Sequence, residues 1–389
     1  MKTVLPRFIA VSLLIVLTPL SLEGKPRARD LGIPFAGTPG SHNAITDVQG
    51  VEVGHATLIA GQGKLKVGEG PVRTGVTAVL PRGRSDLRPA FGAWFSLNGN
   101  GEMTGTTWLE ESGVLEGPVM VSNTHSVGIV RDAVIEWLVK KSGSQQSWAL
   151  PIVAETFDGW LNDINGFHVK AAHAWQALEA ATSGPVPEGN VGGGTGMICY
   201  EFKGGIGTSS RRLSEKGGGY VVGVLVQANF GLRSQLQIAG VPVGVEINDG
   251  LVWSKETGSI IVVLATDAPL LPHQLKRLAR RIPLGMARTG SISGNGSGDI
   301  FIAFSTANVE ATEAKEAVAS LRMLRNSDMN GLFEATVQAT EEAIINALVA
   351  AETMTGINDH EVLALPHDRV KAILEKYQRR AQDRRAPPP

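Results

Sequence analysis

The residues of this sequence best suited to chemistry are hydroxyl side chains that follow a glycine. In the clearest case, Gly258-Ser259 opens the apolar run Ile260 to Leu264, which predicts a buried strand. If the peptide bond before such a serine were broken, the freed α-amine would lie beside the hydroxyl. An α-amine has an ordinary pKa of roughly 7.7 to 8.0, which suits a general base at neutral pH. The serine would then carry its own base, and the preceding glycine would let the backbone strain without a Cβ clash.

Spacing alone does not select this serine, because Gly-Ser before an apolar run is also ordinary turn chemistry. The chain contains other hydroxyls in similar settings. They are Gly40-Ser41, Gly143-Ser144, Gly290-Ser291, Gly296-Ser297, and Thr208 or Ser209 in "GGIGTSSRR". The residues by themselves leave the choice among these sites open.

Motifs for other kinds of chemistry are incomplete. No serine lies in a G-x-S-x-G elbow, "GNVGGGTGM" contains no G-K-[ST], and "GSISGNGSGD" lacks the context of a dinucleotide fingerprint. His168 and His173 lack the glutamate of an H-E-x-x-H zinc motif. His125 in "SNTHS" could join a spatial Ser-His-Asp triad, although no pattern indicates one. We therefore expect neither a cofactor nor a metal.

Composition describes a chain with a sizeable core and no preference for nucleic acid. Of 389 residues, 43% are hydrophobic and 19% charged. Lys and Arg number 36 against 37 Asp and Glu, so no basic field favours nucleic acid. Cys199 is the only cysteine, which excludes an intrachain disulfide, and in "GMICYEF" it is expected to be buried in a strand.

The N-terminus is typical of an export signal. Lys2 and Arg7 precede the apolar run Phe8 to Leu17, and Pro19 and later polar residues break it. The run is too short for a comfortable permanent membrane span. We expect residues 1–24 to be removed and the protein to be periplasmic or secreted, with an uncleaved tether as the alternative because no clean A-x-A site is present.

The elements that must position these residues form one α+β domain over 25–389. Strands are predicted in "GVEVGHATLI", "TGVTAVLP", "GPVMVSN", "GYVVGVLVQANFG", "SIIVVLATD" and "DIFIAFSTA". Helices are predicted in "VGIVRDAVIEWLVKK", "GFHVKAAHAWQALEAA", "LPHQLKRLARR", "NGLFEATVQATEEAIINALVAAETM" and the basic C-terminal stretch after Asp368. Because strands cluster instead of alternating strictly with helices, a layered α+β domain is favoured over a doubly wound sheet.

Four segments in this order carry a resemblance to a known family. They are "AETFDGWLNDINGFHV", "GVLVQANFG", "GSIIVVLATDAPLLPHQLKRLARR" and "GSISGNGSGDIFIAF". Together they resemble the DmpA-like aminopeptidases, the P1 or S58-type family of self-processing serine peptidases. The segment "RARDLGIPFAGTPGSHNAITDVQGVEVGHATL" is similar to the start of that family, so the resemblance covers nearly everything after the signal segment. It implies a four-layer αββα sandwich that resembles the N-terminal-nucleophile hydrolases with different connectivity.

The resemblance also implies a cut and a catalytic set. The precursor would cleave between Gly258 and Ser259 into an α chain, 25–258, and a β chain, 259–389, with Ser259 as nucleophile. Asn229 matches the position whose amide helps form the oxyanion hole. Ser297 and Asp299 match the pair that orients the amine and hydroxyl of the nucleophile; the family often has Glu at the second position, so Asp299 is one methylene shorter.

Substrate binding follows from the same resemblance. Glu155 matches the acid that holds the free amino group of the substrate, and Phe157 matches a position where a tyrosine can occur, which makes it an expected pocket wall. The implied substrates are short peptides, amino-acid amides or esters, and the implied assembly is a homo-oligomer, a tetramer of αβ units.

Two alternatives remain at this level. The chain could be a relative that keeps the fold and binds a ligand without cutting itself, with Phe157 and Asp299 as signs of drift. It could also transfer the acyl group to an amine, as the related ornithine acetyltransferases do. Their processing normally leaves a threonine, so Ser259 counts against that alternative, as does the export signal.

Overall fold

The structure is a computed structural model that describes residues 25–142, 148–253, 255, 258–312 and 316–381. The predicted signal segment, 1–24, and the candidate pair Gly143-Ser144 lie outside the described residues. Among the residues that are described, no helix combines the length and the apolar character needed to cross a membrane.

Two β-sheets face each other at the centre of the fold. The strands of the two sheets are β1 (Glu52–Ala60), β2 (Val72–Leu80), β3 (Ala90–Gly99), β4 (Val114–Leu115), β5 (Val119–Asn123), β6 (Ile152–Thr156), β9 (Gly205–Arg212), β10 (Val221–Asn229), β11 (Gly258–Thr266) and β12 (Ser297–Ser305). The first sheet has the strand order β1-β2-β5-β6, and the second has the order β4-β3-β12-β11-β10-β9. Short hairpins form from β7 (Ile198–Cys199) with β8 (Phe202–Lys203) and from β13 (Met354–Thr355) with β14 (Glu361–Val362).

The apolar run of β11 is buried on both faces because the strand lies inside the second sheet. Ile261 and Val263 belong to the core between the two sheets, whereas Ile260 and Val262 belong to the core between the second sheet and its helices. Burial on both faces explains a continuous apolar run in place of an alternating one. The predicted buried strand is therefore confirmed.

Helices cover the outer face of each sheet. The helices of the described residues are α1 (Thr106–Ser112), α2 (Val127–Lys141), α3 (Ala171–Glu179), α4 (Val243–Glu246), α5 (Pro272–Ala279), α6 (Ile282–Arg288), α7 (Val309–Thr312), α8 (Asn330–Ala350) and α9 (His367–Lys376). Helices α2 and α3 pack on the first sheet, and α5, α6 and α8 cover the second. These layers confirm the predicted α+β, αββα sandwich.

Some predicted elements differ in extent. The helix expected from Gly166 begins only at Ala171, since Phe167 takes a left-handed conformation with φ of 51° that a helix cannot include. The helix expected to run through "AAETM" ends at Ala350, and the Met354–Thr355 pair forms a strand instead. Strand β9, "GIGTSSRR", is polar in sequence yet buried, because its hydroxyls hydrogen-bond to neighbouring elements.

Strand ends meet at one edge of the sandwich and build the site there. β3 and β10 end where β11 and β12 begin. The antiparallel register places Asn229 directly opposite Ser259, and the parallel register places Gly298 beside Ser259. Residues far apart in sequence are thereby brought around the predicted cut.

Candidate active site

The Gly258-Ser259 peptide lies at the start of β11 with β10 pressed against it. A Cβ at position 258 would lie 2.1 Å from the carbonyl oxygen of Asn229 and 3.0 Å from Phe230 Cα, so only glycine allows this approach. The Ser259 hydroxyl donates to the carbonyl oxygen of Gly258 at 2.7 Å and accepts from the Gly298 backbone N–H at 3.2 Å. The hydroxyl therefore contacts the same peptide unit that the sequence analysis predicts to be cut.

Competing hydroxyls that the structure describes have their bonds elsewhere. Thr208 Oγ1 donates to the carbonyl of Val224, and Ser209 Oγ donates to the carbonyl of Ala339 in α8. The remaining contacts are Ser41 Oγ to Asp47 at 3.1 Å, the Ser293 N–H to Ser291 Oγ at 3.1 Å, and Ser297 Oγ to Asp299 at 2.6 Å. Among these described hydroxyls, Ser259 is the one that donates to the carbonyl oxygen of the glycine before it.

Asn229 presents its amide on the same face of the sheet as the Ser259 hydroxyl, because residues directly opposite in an antiparallel pair share a face. Its Oδ1 accepts from the Ile198 N–H at 2.7 Å, and its Nδ2 donates to the Phe157 carbonyl at 2.9 Å. A primary amide carries two N–H donors. The two backbone bonds fix the amide plane and use one donor, and no residue in the described part of the chain accepts from the second.

Ser297 and Asp299 form a buried pair at the start of β12. Ser297 Oγ donates to Asp299 Oδ1 at 2.6 Å, and Asn98 Nδ2 donates to the other carboxylate oxygen at 3.3 Å. Burial raises the pKa of the Asp299 carboxyl, while hydrogen bonds from Ser297, Ser293 and Asn98 act to lower it. Asn98 is a contact that the sequence analysis missed; the ladder between β3 and β12 places it opposite Asp299.

The pleat separates this pair from the Ser259 hydroxyl. Farther along β12, Phe301 packs in the helix-facing core and Ile300 in the core between the sheets. By the same alternation, Ser297 and Asp299 start on the helix-facing side, whereas Ser259 shares the face of Ile261. The structure therefore brings the pair beside the start of β11, with Ser297 opposite Gly258, but not onto the hydroxyl.

Glu155 lies at the end of β6 and is only 3% exposed, which excludes a solvated carboxylate. It accepts hydrogen bonds from the Glu102 N–H at 3.0 Å and from the Thr124 hydroxyl. Burial raises its pKa. A Cβ at Gly101 would lie 3.3 Å from Glu155 Oε1 and 3.4 Å from Gly298 Cα. Gly101 therefore lies between the Glu155 carboxylate and the backbone of Gly298, which is the neighbour of Ser259 in the sheet.

Exposed aromatic side chains belong to segments that adjoin those holding this carboxylate. Phe157 is 51% exposed, so its ring faces solvent while its carbonyl holds Asn229. His125 stacks on the exposed ring of Phe167 with centroids 5.8 Å apart, next to Thr124. Phe167 was missed by the sequence analysis, since an aromatic after a glycine has no distinctive spacing. The site combines a hydroxyl, an amide donor, a buried acid and an apolar rim.

Metal ligands do not gather in the part of the chain that the structure describes, where no group of three or more His, Cys, Asp or Glu side chains could hold an ion. Cys199 is fully buried in β7, as predicted, and burial raises the pKa of its thiol.

Comparisons with known proteins identify the family of this chain. The model of peptidase family S58 matches residues 43–362. The beta-peptidyl aminopeptidase BapA of Sphingosinicella microcystinivorans is 57% identical over 380 residues, covering 93% of this chain and 94% of that protein.

Two solved structures share the fold. The L-aminopeptidase D-Ala-esterase/amidase of Ochrobactrum anthropi, described as a prototype for the serine aminopeptidases and a new variant among the Ntn hydrolase fold, aligns with a TM-score of 0.85 and 48% identity over 92% of this chain and 100% of that chain. The beta-aminopeptidase of Burkholderia sp. aligns with a TM-score of 0.83 and 47% identity over 90% of this chain and 99% of that chain.

Proposed function

The chain belongs to peptidase family S58, and on that premise we propose which residues carry its activity as a self-processing serine aminopeptidase and amidase. Ser259 is the nucleophile, freed as an N-terminus by cleavage of the Gly258-Ser259 bond into chains 25–258 and 259–389. The observation that carries this assignment is the Ser259 hydroxyl, 2.7 Å from the Gly258 carbonyl oxygen and bound by the Gly298 N–H.

Cleavage begins when the Ser259 hydroxyl attacks the Gly258 carbonyl carbon. The C–N bond breaks as the acyl group passes to the hydroxyl oxygen, and the amine nitrogen takes the hydroxyl proton. Water then hydrolyses the ester, which leaves a carboxylate on Gly258 and a free hydroxyl on Ser259. Pairing of β11 with β10 and β12 on both sides supports the proposal, because it would hold the new terminus in place.

Turnover of a substrate uses the same groups. The Ser259 amine takes the hydroxyl proton, the hydroxyl oxygen attacks the substrate carbonyl, and the amine then protonates the leaving group. The free N–H of Asn229 stabilises the tetrahedral oxyanion. Water releases the acyl group from Ser259 by the same route.

Ser297 and Asp299 orient the amine in this proposal. Both side chains lie on the helix-facing side of β12, which suits them to contact the amine of Ser259 and not its hydroxyl. Ser297 lies opposite Gly258, at the position the new terminus would occupy. Asp299 does not need to reach the amine itself, since its 2.6 Å hydrogen bond orients the Ser297 hydroxyl. Asp299 is one methylene shorter than glutamate, and Ser297 covers the remaining distance to the amine.

Glu155 holds the substrate ammonium by charge pairing, and Phe157 forms a wall of the pocket. The substrates are short peptides, amides or esters with a free N-terminal amine. We include N-terminal β-amino acids, which the names of the Sphingosinicella and Burkholderia relatives support. Comparing β-alanyl and L-alanyl p-nitroanilides tests this; no turnover of the β-alanyl substrate would remove β-amino acids from the proposal.

Export and assembly complete the proposal. Residues 1–24 act as a signal, the mature protein is periplasmic or secreted, and αβ units associate into a homo-oligomer, a tetramer. N-terminal sequencing of protein from the exporting cell and light scattering of the purified protein test these two statements; an intact Met1 or a single αβ unit would contradict them.

The test of the cut uses two serine variants. Purified protein should contain two chains, with the smaller beginning Ser-Ile-Ile-Val. Ser259→Ala should stay whole and inactive, whereas Ser209→Ala, which loses a hydrogen bond to α8 away from the cut, should still process. If Ser209→Ala blocks cleavage and Ser259→Ala does not, the wrong serine has been assigned; a wild-type chain that stays intact on prolonged incubation indicates a non-processing relative. Chelators should leave the activity unchanged.

A further inference from the structure

Lys203 is a buried cation whose partners are all backbone carbonyls. Its side chain is fully buried in β8, and Nζ donates to the carbonyl oxygens of Met197 at 2.7 Å, Gly204 at 2.9 Å and Gly194 at 3.3 Å. An ammonium has three N–H donors, so this set satisfies it. Within the described part of the chain, no carboxylate lies within ion-pair distance of it.

Such a charge is costly to bury. Burial lowers the pKa of the Lys203 ammonium to about 7, as expected for a charge without an opposite charge beside it. An apolar side chain of similar length would avoid this cost, but it would leave the carbonyl oxygens of Met197, Gly204 and Gly194 without their bonds to Nζ. The ammonium therefore anchors these three carbonyls, and one of them leads to Asn229.

One peptide unit connects Lys203 to Asn229. The Met197 carbonyl that accepts from Lys203 Nζ belongs to the same peptide group as the Ile198 N–H, which donates to Asn229 Oδ1 at 2.7 Å. A positive charge on the oxygen side of a peptide polarises its N–H, and hydrogen bonds in a chain strengthen one another. The ammonium thereby strengthens the bond to Oδ1, which in turn polarises the Nδ2 donors of Asn229.

The hairpin of β7 and β8 is held tightly against the strand that carries Asn229. The Tyr200 N–H donates to the Phe230 carbonyl at 2.7 Å. A Cβ at Gly204 would lie 2.5 Å from the Ala228 carbonyl oxygen. The two contacts involve Ala228 and Phe230, the residues directly before and after Asn229, so the position of the Met197–Ile198 peptide relative to the amide is fixed.

We propose that Lys203 is a positioning residue that orients and polarises the Asn229 amide through the Met197–Ile198 peptide. This rests on the proposed role of Asn229 as oxyanion donor. Lys203 contacts neither the substrate nor Ser259 in this role. Its loss should therefore lower kcat and leave KM nearly unchanged, because the interaction it strengthens forms in the transition state.

Two variants and one matched control test the proposal. Lys203→Met removes charge and donors, and Lys203→Gln keeps N–H donors without the charge. Complete loss of an oxyanion donor lowers kcat by roughly 10²–10³-fold, so we expect a smaller loss, roughly 10- to 100-fold, for Lys203→Met and an intermediate loss for Lys203→Gln. Cys199→Ala, in the same hairpin and equally buried, should keep kcat within about threefold of the wild type.

Rates are normalised to the amount of chain that begins with Ser259, and thermal melting reports folding. In an Asn229→Ala background, Lys203→Met should lower kcat no further. The proposal is overturned if Lys203→Met lowers kcat in that background by the same factor as in the wild type. It is also overturned if Cys199→Ala lowers kcat as much as Lys203→Met, or if both Lys203 variants keep the wild-type kcat. If Asn229→Ala alone keeps wild-type kcat, the assignment of Asn229 fails; if Asn229→Ala is impaired and Lys203→Met is not, only the inference about Lys203 fails.

Discussion

Replacing Glu155 by glutamine should weaken turnover of substrates with a free N-terminal amine and leave self-processing intact. The acyl group attacked during processing is that of Gly258, which lies within the chain and offers no ammonium to Glu155. Glutamine keeps an oxygen for the Glu102 N–H, and the Thr124 hydroxyl can rotate to accept from the new amide. The substitution therefore removes the charge with little change of shape.

The size of the effect follows from the burial of Glu155. A hydrogen bond to a charged group contributes about 1.5 to 3 kcal/mol, and about 1.4 kcal/mol corresponds to a tenfold change. The predicted loss in kcat/KM is therefore roughly 10- to 150-fold. Glu155 is 3% exposed, so water screens the pair little, which favours the upper part of this range.

The pH dependence provides a second measurement. Burial raises the pKa of Glu155, and only its ionised form attracts an ammonium. As the pH falls, wild-type kcat/KM for amine substrates should therefore decline at a higher pH than an ordinary glutamate would give. Glu155→Gln should lack this step, since it has no carboxyl to protonate, and should keep only the decline caused by protonation of the Ser259 amine.

The assay compares an alanyl p-nitroanilide with its propionyl analogue, which lacks only the amine. Wild-type enzyme should prefer the alanyl substrate, and Glu155→Gln should lose most of that preference. Glu102→Gln, a change in a neighbouring exposed side chain, is the matched control and should keep it. A Glu155→Gln enzyme that still prefers the amine by the wild-type factor would refute the assignment, as would a block in processing.

Two further substitutions test the oxyanion hole and the buried ion cluster. Asn229→Ala should lower kcat roughly 10²–10³-fold in steady-state assays of the cut protein, because it removes the donor that Ile198 and Phe157 hold in place; a kcat within about threefold of wild type would contradict this. Glu342→Gln should lower the free energy of unfolding in urea by roughly 3–5 kcal/mol, because Arg211, 1% exposed and bonded to Glu342 at 2.7 Å, would lose its buried counter-charge. An unchanged urea midpoint would show that the ion pair contributes little to stability.

The layers of the fold follow from patterns that a single sequence displays. The run from Ile260 to Leu264 and the spacing of apolar residues in α2 predict their elements correctly because each is a local pattern of apolar residues. Strand β9 escaped prediction for the opposite reason. Thr208 and Ser209 are buried by bonds to Val224 and Ala339, and such partners, distant in sequence, leave no periodic trace.

The site could be predicted only in part. Family resemblance indicates Glu155, but its sequence environment is equally consistent with a solvated acid, and burial becomes visible only when Glu102 and Thr124 fold around it. Lys203 in "YEFKGG" carries no signal at all. The role proposed for it depends on three carbonyls that converge on one ammonium, and no spacing in the sequence reveals this convergence.

In the proposed mechanism, the position of Ser259 near the start of β11 divides the work of catalysis between the two neighbouring strands. The hydroxyl of Ser259 shares a face with Asn229 of β10, which suits that strand to the oxyanion, while Ser297 of β12 lies opposite Gly258 and suits the amine. In a Ser-His-Asp triad the base is a separate side chain and must be carried by its own element. In the proposed mechanism nucleophile and base share one residue, so the register of three strands takes the place of a motif. A shift of one residue in either ladder would move these partners to the wrong faces of the sheet. The close packing of Gly258 on Asn229 therefore matters for the proposed catalysis as well as for the structure.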